Sequence, residues 1–145
     1  MLGLVPMKAS SQVNILVVDD VPEKILEIEL ALAELGQNII KAQSGRDALR
    51  VLLKDDCAVI LLDVNMADMD GFETAALIRE RKRSEYTPII FITAFNDEAL
   101  MAKGYSLGAV DFISTPIDPD VLRTKVGVFV DLYQKTEAVR HQAAH

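Results

Sequence analysis

Short runs of apolar residues alternate along this chain with longer segments in which apolar positions recur every three or four residues. The runs at 15–18, 38–42, 58–62, 89–92 and 110–113 are rich in Ile, Val, Leu or Phe and have the length of strands. The segments between them carry the helical period at 22–35, 45–54, 72–83 and 97–107, and a last helix is expected to begin near 119. Strands apolar on both sides and separated by helices assemble into a parallel sheet covered on both faces. The pattern therefore predicts an α/β, doubly wound fold with five strands.

Punctuation supports these limits. Gly36 follows the first helix, Ser44 can cap the second, Asn96 the fourth, and Asp118 precedes Pro119 at a natural first helical position. The last helix places Leu122, Val126, Phe129 and Tyr133 on one stripe, which could serve the core or a homodimer contact. Its continuation is more polar. The expected organisation is a loose leader over 1–13, one domain over 14–134 and a helical extension or linker over 135–145.

Composition narrows the function. Half of the 145 residues are hydrophobic, enough for one substantial core. The formal charge is −7 and the basic residues are scattered, so no nucleic-acid face is expected. Cys57 is the one cysteine, which excludes an intrachain disulfide and reads as a small core residue. No apolar run reaches the length of a membrane span, and the opening segment lacks the pattern of a secretory signal, so a cytoplasmic protein is expected. His141 and His145 have no acidic or Cys partners nearby in sequence, and Asp55-Asp56 reads as a solvated helix end.

The chemistry sits at the strand ends. In a doubly wound sheet all strands point their carboxyl ends to one edge, where ligands bind at the point of strand-order reversal. The first strand ends in Asp19-Asp20, the third in Asp63, the fourth in Thr93, and the fifth leads into Ser114-Thr115-Pro116. Three carboxylates on one rim repel one another unless a cation lies among them, and all-oxygen ligation suits Mg²⁺ better than zinc. An isolated Asp after a strand is usually a turn former or cap, and Asp68 and Asp70 are read that way, shaping the turn around Gly71.

The strings Ile15-Leu16-Val17-Val18-Asp19-Asp20, Leu61-Leu62-Asp63-Val64-Asn65-Met66 through Met69-Asp70-Gly71, Ile92-Thr93-Ala94, and Gly108-Ala109 through Asp111-Phe112-Ile113 to Pro116 resemble, in order and spacing, the motifs of response-regulator receiver domains. The resemblance implies a flavodoxin-like sheet in the order 2-1-3-4-5 and phosphoryl transfer from a histidine kinase or phosphotransfer protein. By the same resemblance Asp63 is the phosphoacceptor, and Asp20 and Asp63 are direct ligands of Mg²⁺ or Mn²⁺. Asp19 acts through water and the backbone carbonyl of Asn65 completes the set. Thr93 offers a switch hydroxyl, Ala94 a backbone N–H, and Phe112 an aromatic that turns inward when the Thr moves. An output domain or partner protein receives the signal, and activity is limited to self-phosphorylation and self-dephosphorylation.

Two positions depart from the family. Thr115 stands where the family has Lys before the Pro after the fifth strand, and a cis Thr115-Pro116 bond is expected by resemblance. Losing a hydrogen bond to a charged group costs about 1.5–3 kcal/mol, so transfer or switching could fall roughly ten- to hundredfold. Ala67 stands where Pro is common and is expected to loosen the loop after the acceptor. Two competing functions follow: a degenerate receiver that binds a partner without regulated phosphorylation, supported by Thr115, and a small hydrolase or nucleotide-binding enzyme. The second is weakened by the lack of a glycine-rich phosphate loop after the first strand.

Overall fold

The computed structural model of the chain describes residues 12–94 and 96–143. Five parallel strands, β1 (Asn14–Val18), β2 (Asn38–Ala42), β3 (Val59–Asp63), β4 (Ile89–Thr93) and β5 (Asp111–Ser114), pair in the order 2-1-3-4-5. The helices are α1 (Pro22–Leu32), α2 (Gly45–Lys54), α3 (Gly71–Glu80), α4 (Glu98–Ser106) and α5 (Pro119–Ala143). A short 3₁₀ turn, Ala33–Leu35, closes α1 before Gly36, which takes the left-handed conformation at φ 68°.

Right-handed crossovers decide which face each helix covers. The step from β1 to β2 runs one way along the sheet, and every later step runs the other. Accordingly α1 shares one core with α5, in which Ile25, Ile28, Leu122 and Val126 meet Ile15, Val17, Val59 and Leu61. On the opposite face α2 and α3 meet the alternate strand residues Leu16, Val18, Ile60 and Leu62 through Leu49, Leu52, Phe72 and Ile78. The central strands β1, β3 and β4 are buried on both sides, as parallel strands between helical layers must be, while the edge strands β2 and β5 are partly exposed.

The stripe on α5 is divided. Leu122 and Val126 are buried and Phe129 and Tyr133 pack against them, so these four serve the core. Val121, Val128, Leu132 and Val139 form the outward side. The helix runs on through Ala143. Of the expected leader, residues 1–11 lie outside the described residues. Val13 is buried and donates its N–H to Gln37 Oε1 at 2.8 Å, which ties it to the domain.

Several boundaries differ from the sequence expectation. Ser44 caps α2 as expected, accepting from the Asp47 N–H. For α4, however, the cap is Asp97 rather than Asn96, because its Oδ1 accepts from both Ala99 and Leu100. The third helix stops at Glu80, not at residue 83, and residues 81–87 turn back under the Arg79 guanidinium. That group donates to the carbonyls of Ser84, Glu85, Thr87, Leu107 and Gly108. Asp55 and Asp56 are exposed after α2, as expected of a solvated helix end, and Arg83 Nε pairs with Asp56 Oδ1 there at 2.8 Å. Cys57 is buried, and burial pushes its thiol up to about 12 with the nearby Asp55 and Asp56 charges adding to the rise, in keeping with a core residue.

Candidate functional site

The strand order reverses between β1 and β3, and both strands end there in acidic residues. Ligand-capable oxygens of Asp19, Asp20 and Asp63 all lie within 4.8 Å of one another. Asp19 is 2% exposed and Asp63 5%, so two of the three carboxylates are held away from water. Such burial is unfavourable for charge. It pushes the Asp63 carboxyl up to about 6, with the neighbouring Asp19 charge adding to the rise. Lys24 and the Asn65 N–H oppose that shift, and the Asp20 charge reinforces it. Burial likewise raises Asp19, against the pull of the Val21 N–H and of Lys24.

Hydrogen bonds orient the set. Asp19 Oδ1 accepts from the Val21 N–H at 2.9 Å, and Asp20 Oδ2 accepts from the Ala67 N–H at 2.9 Å. Asp63 Oδ2 is buried with no hydrogen-bond partner among the described residues. A buried carboxylate oxygen left unpaired beside two further carboxylates requires a positive ligand to be stable in its charged form. A hard divalent cation with oxygen ligands fits that donor set, with Asp19, Asp20 and Asp63 facing it.

Ala67 corrects an expectation. Its loop was expected to be loosened, but the N–H that a Pro would lack tethers the loop to Asp20. Asp68 adopts a positive φ of 69° and Asp70 forms a capping box with Glu73, so both act in the turn as expected. Gly71 starts α3 directly against the end of β3: a Cβ there would stand 2.3 Å from the Asp63 carbonyl oxygen. Its N–H donates to the Val64 carbonyl at 2.9 Å, fixing the strand end that carries Asp63.

The remaining predicted residues fall around the same rim. Thr93 is buried at the end of β4, level with Ser114 across the ladder, and Ala94 follows it at the exposed edge. Asn65 stands exposed two residues beyond Asp63. Phe112 packs inward between Phe91 and Tyr105, with ring centroids 5.5 and 5.1 Å away, over Gly104, where a Cβ would meet its Cζ at 2.4 Å. Thr115 precedes Pro116 across a cis peptide, as the resemblance implied, and its N–H donates to the Thr93 carbonyl at 3.1 Å.

A cleft of about 200 Å³ opens between Asp19 and Asp63 on one side and Thr115 and Pro116 on the other, with Lys24 and Glu27 of α1 on its wall. Lys24 was not anticipated from the sequence. Its signal was available in principle: Pro22 sets the helical phase, and side chains of a helix lean toward its N-terminus, which for α1 is the rim.

The comparisons with known proteins agree with this geometry. The response regulator receiver domain family matches residues 15–127. The chain is 34% identical over 120 residues to a probable cyclic di-GMP phosphodiesterase of Vibrio cholerae, covering 83% of this chain and 27% of that protein. It is 34% identical over 131 residues to the transcriptional regulatory protein YvrH of Bacillus subtilis, covering 89% of this chain and 54% of that one. It thus spans from about a quarter to about half the length of these relatives. Among solved structures, the chemotaxis protein CheY4 of Vibrio cholerae is similar at a TM-score of 0.78 and 28% identity, over 82% of this chain and 99% of that one. A response regulator from Chloroflexus aurantiacus described as putative gives a TM-score of 0.78 at 26% identity, over 83% and 99%. With a family match across most of its length and the acidic rim where that fold binds its ligands, the chain belongs to the response regulator receiver domain family.

Proposed function

We propose that the chain is a phosphoacceptor switch in which Asp63 takes a phosphoryl group from a histidine kinase or phosphotransfer protein, with Mg²⁺ or Mn²⁺ held by Asp19, Asp20, Asp63 and the Asn65 carbonyl. The observation that carries this reading is the unpaired, buried Asp63 Oδ2 within a cluster of three carboxylates. When bound, the cation supplies neutralisation of the charge on the transferring group.

The chain's own residues do the rest. The Asp63 carboxylate attacks phosphorus, the bond from phosphorus to the donor atom breaks with its electron pair leaving on the donor, and an acyl phosphate forms. Attack requires the ionised carboxylate, and burial disfavours that form until positive charge arrives. Gly71 and the Asn65 N–H hold the strand end in place. The Thr93 hydroxyl and Ala94 N–H then meet phosphoryl oxygens, and the shift of Thr93 favours the inward position of Phe112 between Phe91 and Tyr105, biasing the face formed by α4, β5 and α5.

This chemistry is self-phosphorylation and slow self-dephosphorylation, without turnover of an external substrate. It belongs in the cytoplasm, and the outward α5 side offers a homodimer or partner face. The relatives include transcriptional regulators and a probable phosphodiesterase, which supports an attached or separate output domain as recipient of the switch. No helix among the described residues is long and apolar enough to cross a membrane.

A second reading rests on Thr115, which leaves the cleft without the family's Lys: a degenerate receiver that binds a partner independently of phosphorylation. The two are separated by incubation with acetyl phosphate and Mg²⁺ followed by intact mass. A single phosphoryl adduct that vanishes in Asp63→Asn supports the switch; metal binding with no adduct supports the degenerate reading.

A further inference from the structure

We infer that Lys24, on the first turn of α1, supplies the ammonium that faces a phosphoryl group on Asp63, in place of the Lys missing at position 115. The inference rests on the phosphoacceptor reading and deepens it. Three observations on separate parts of the chain carry it.

First, Thr115 does occupy the wall of the cleft beside Asp63, so the position is in place while the charge and the reach of a Lys are absent. Second, Lys24 lines that same cleft and is the one basic residue in its lining. Third, Lys24 is exposed and pairs with no carboxylate within salt-bridge distance among the described residues, so its ammonium is not committed elsewhere. Its long aliphatic stem lets the charge swing toward the rim. Glu27, one turn further along α1, is the acidic neighbour on the same wall.

The chemistry is that of a fixed charge. As Asp63 attacks, the bond from phosphorus to the donor's oxygen or nitrogen breaks and its electron pair leaves with the donor. Lys24 stays protonated throughout and gives up no proton. Its ammonium donates a charge-assisted hydrogen bond to an oxygen of the phosphoryl group, a contact a Thr hydroxyl makes only as a neutral donor. A cation supplied from the helix after the first strand instead of the loop after the fifth would leave the Thr115 side free of charge.

The test is a double-mutant cycle on the full chain: wild type, Lys24→Gln, Thr115→Lys and both together, with Lys24→Arg as the charge-keeping control. The probe is acetyl phosphate with saturating Mg²⁺, and the readouts are the rate of adduct formation by quenched intact mass, Mg²⁺ affinity and Tm. Lys24→Gln should slow adduct formation about ten- to hundredfold, the range expected for one hydrogen bond to a charged group, while Mg²⁺ affinity and Tm hold. Lys24→Arg should keep the rate within about threefold, and Lys24→Gln should cost less than about threefold once Thr115→Lys has restored the ammonium.

Wild-type adduct formation with an unchanged Lys24→Gln rate overturns the inference and leaves the phosphoacceptor reading standing. An equal loss in both backgrounds also overturns it, since Lys24 would then act independently of the missing charge. If wild type forms no adduct while Mg²⁺ binds, the phosphoacceptor reading fails and this inference falls with it.

Discussion

Replacing Asp63 with Asn should stabilise the metal-free protein, although it abolishes the chemistry. Burial and the Asp19 charge push the Asp63 carboxyl up to about 6, against an ordinary value of about 3.9. At about 1.4 kcal/mol per tenfold change in proton affinity, ionisation at neutral pH costs the fold at most about 3 kcal/mol. Relaxation and water at the rim reduce that, so the expected gain from Asp63→Asn at pH 7 is about 1–2 kcal/mol, or roughly 3–7 °C in Tm for a chain of this size. Below about pH 4 the carboxyl is protonated in folded and unfolded chains alike, and the stability is fully present. Between about pH 4 and pH 6 the folded chain keeps a proton that the unfolded chain has released, so stability falls as pH rises, and above about 6 the whole cost is felt. The advantage of Asp63→Asn should therefore shrink below about 0.5 kcal/mol at pH 4. Mg²⁺ at ten times its Kd should stabilise wild type by about 1.4 kcal/mol and the variant far less. Urea unfolding in a chelating buffer at both pH values, then with Mg²⁺, is the assay. An Asp63→Asn variant no more stable than wild type at pH 7, or equally advantaged at pH 4, refutes the reasoning.

Other perturbations reach different parts of the machine. Gly104→Ala places a methyl on the Phe112 ring and should drive that ring outward at a net cost of about 1 kcal/mol, overpacking outweighing the helix-propensity gain; aromatic NMR of Phe112 and thermal unfolding would show both. Gly71→Ala pushes α3 off the Asp63 carbonyl and should weaken Mg²⁺ binding and slow adduct formation at least tenfold, checked by titration and intact mass. Arg79→Met strips donors from five carbonyls in the α3–β4 and α4–β5 connections and should cost about 2–4 kcal/mol in urea unfolding; a loss below about 0.5 would show that water replaces the guanidinium.

What the sequence discloses follows from how local each signal is. Strands such as Val59–Asp63 announce themselves because central parallel strands are buried on both faces and must be apolar throughout, up to the buried acidic residue at the rim. The carboxylate rim was legible for the same reason, since strand ends in this topology share one edge. The end of α3 was not legible: it is set by Arg79 reaching carbonyls as far away as Gly108, contacts that no window of residues contains. Asn96 and Asp97 are both good caps, and only the backbone path chooses Asp97. Ala67 looked like a lost Pro and is instead a donor to Asp20, 47 residues away. Lys24 was hidden because its meaning depends on Thr115, which lies on another element and meets it only across the cleft.

The most direct measurement locates the phosphoryl group itself. The protein is phosphorylated with acetyl phosphate and Mg²⁺, the acyl phosphate is reduced with borohydride, and peptide mapping identifies the side chain converted to homoserine. The expected result is conversion at Asp63, dependent on the divalent ion and abolished by a chelator. Conversion at another carboxylate, or none at Asp63 while Mg²⁺ is bound, would contradict the assignment of the acceptor.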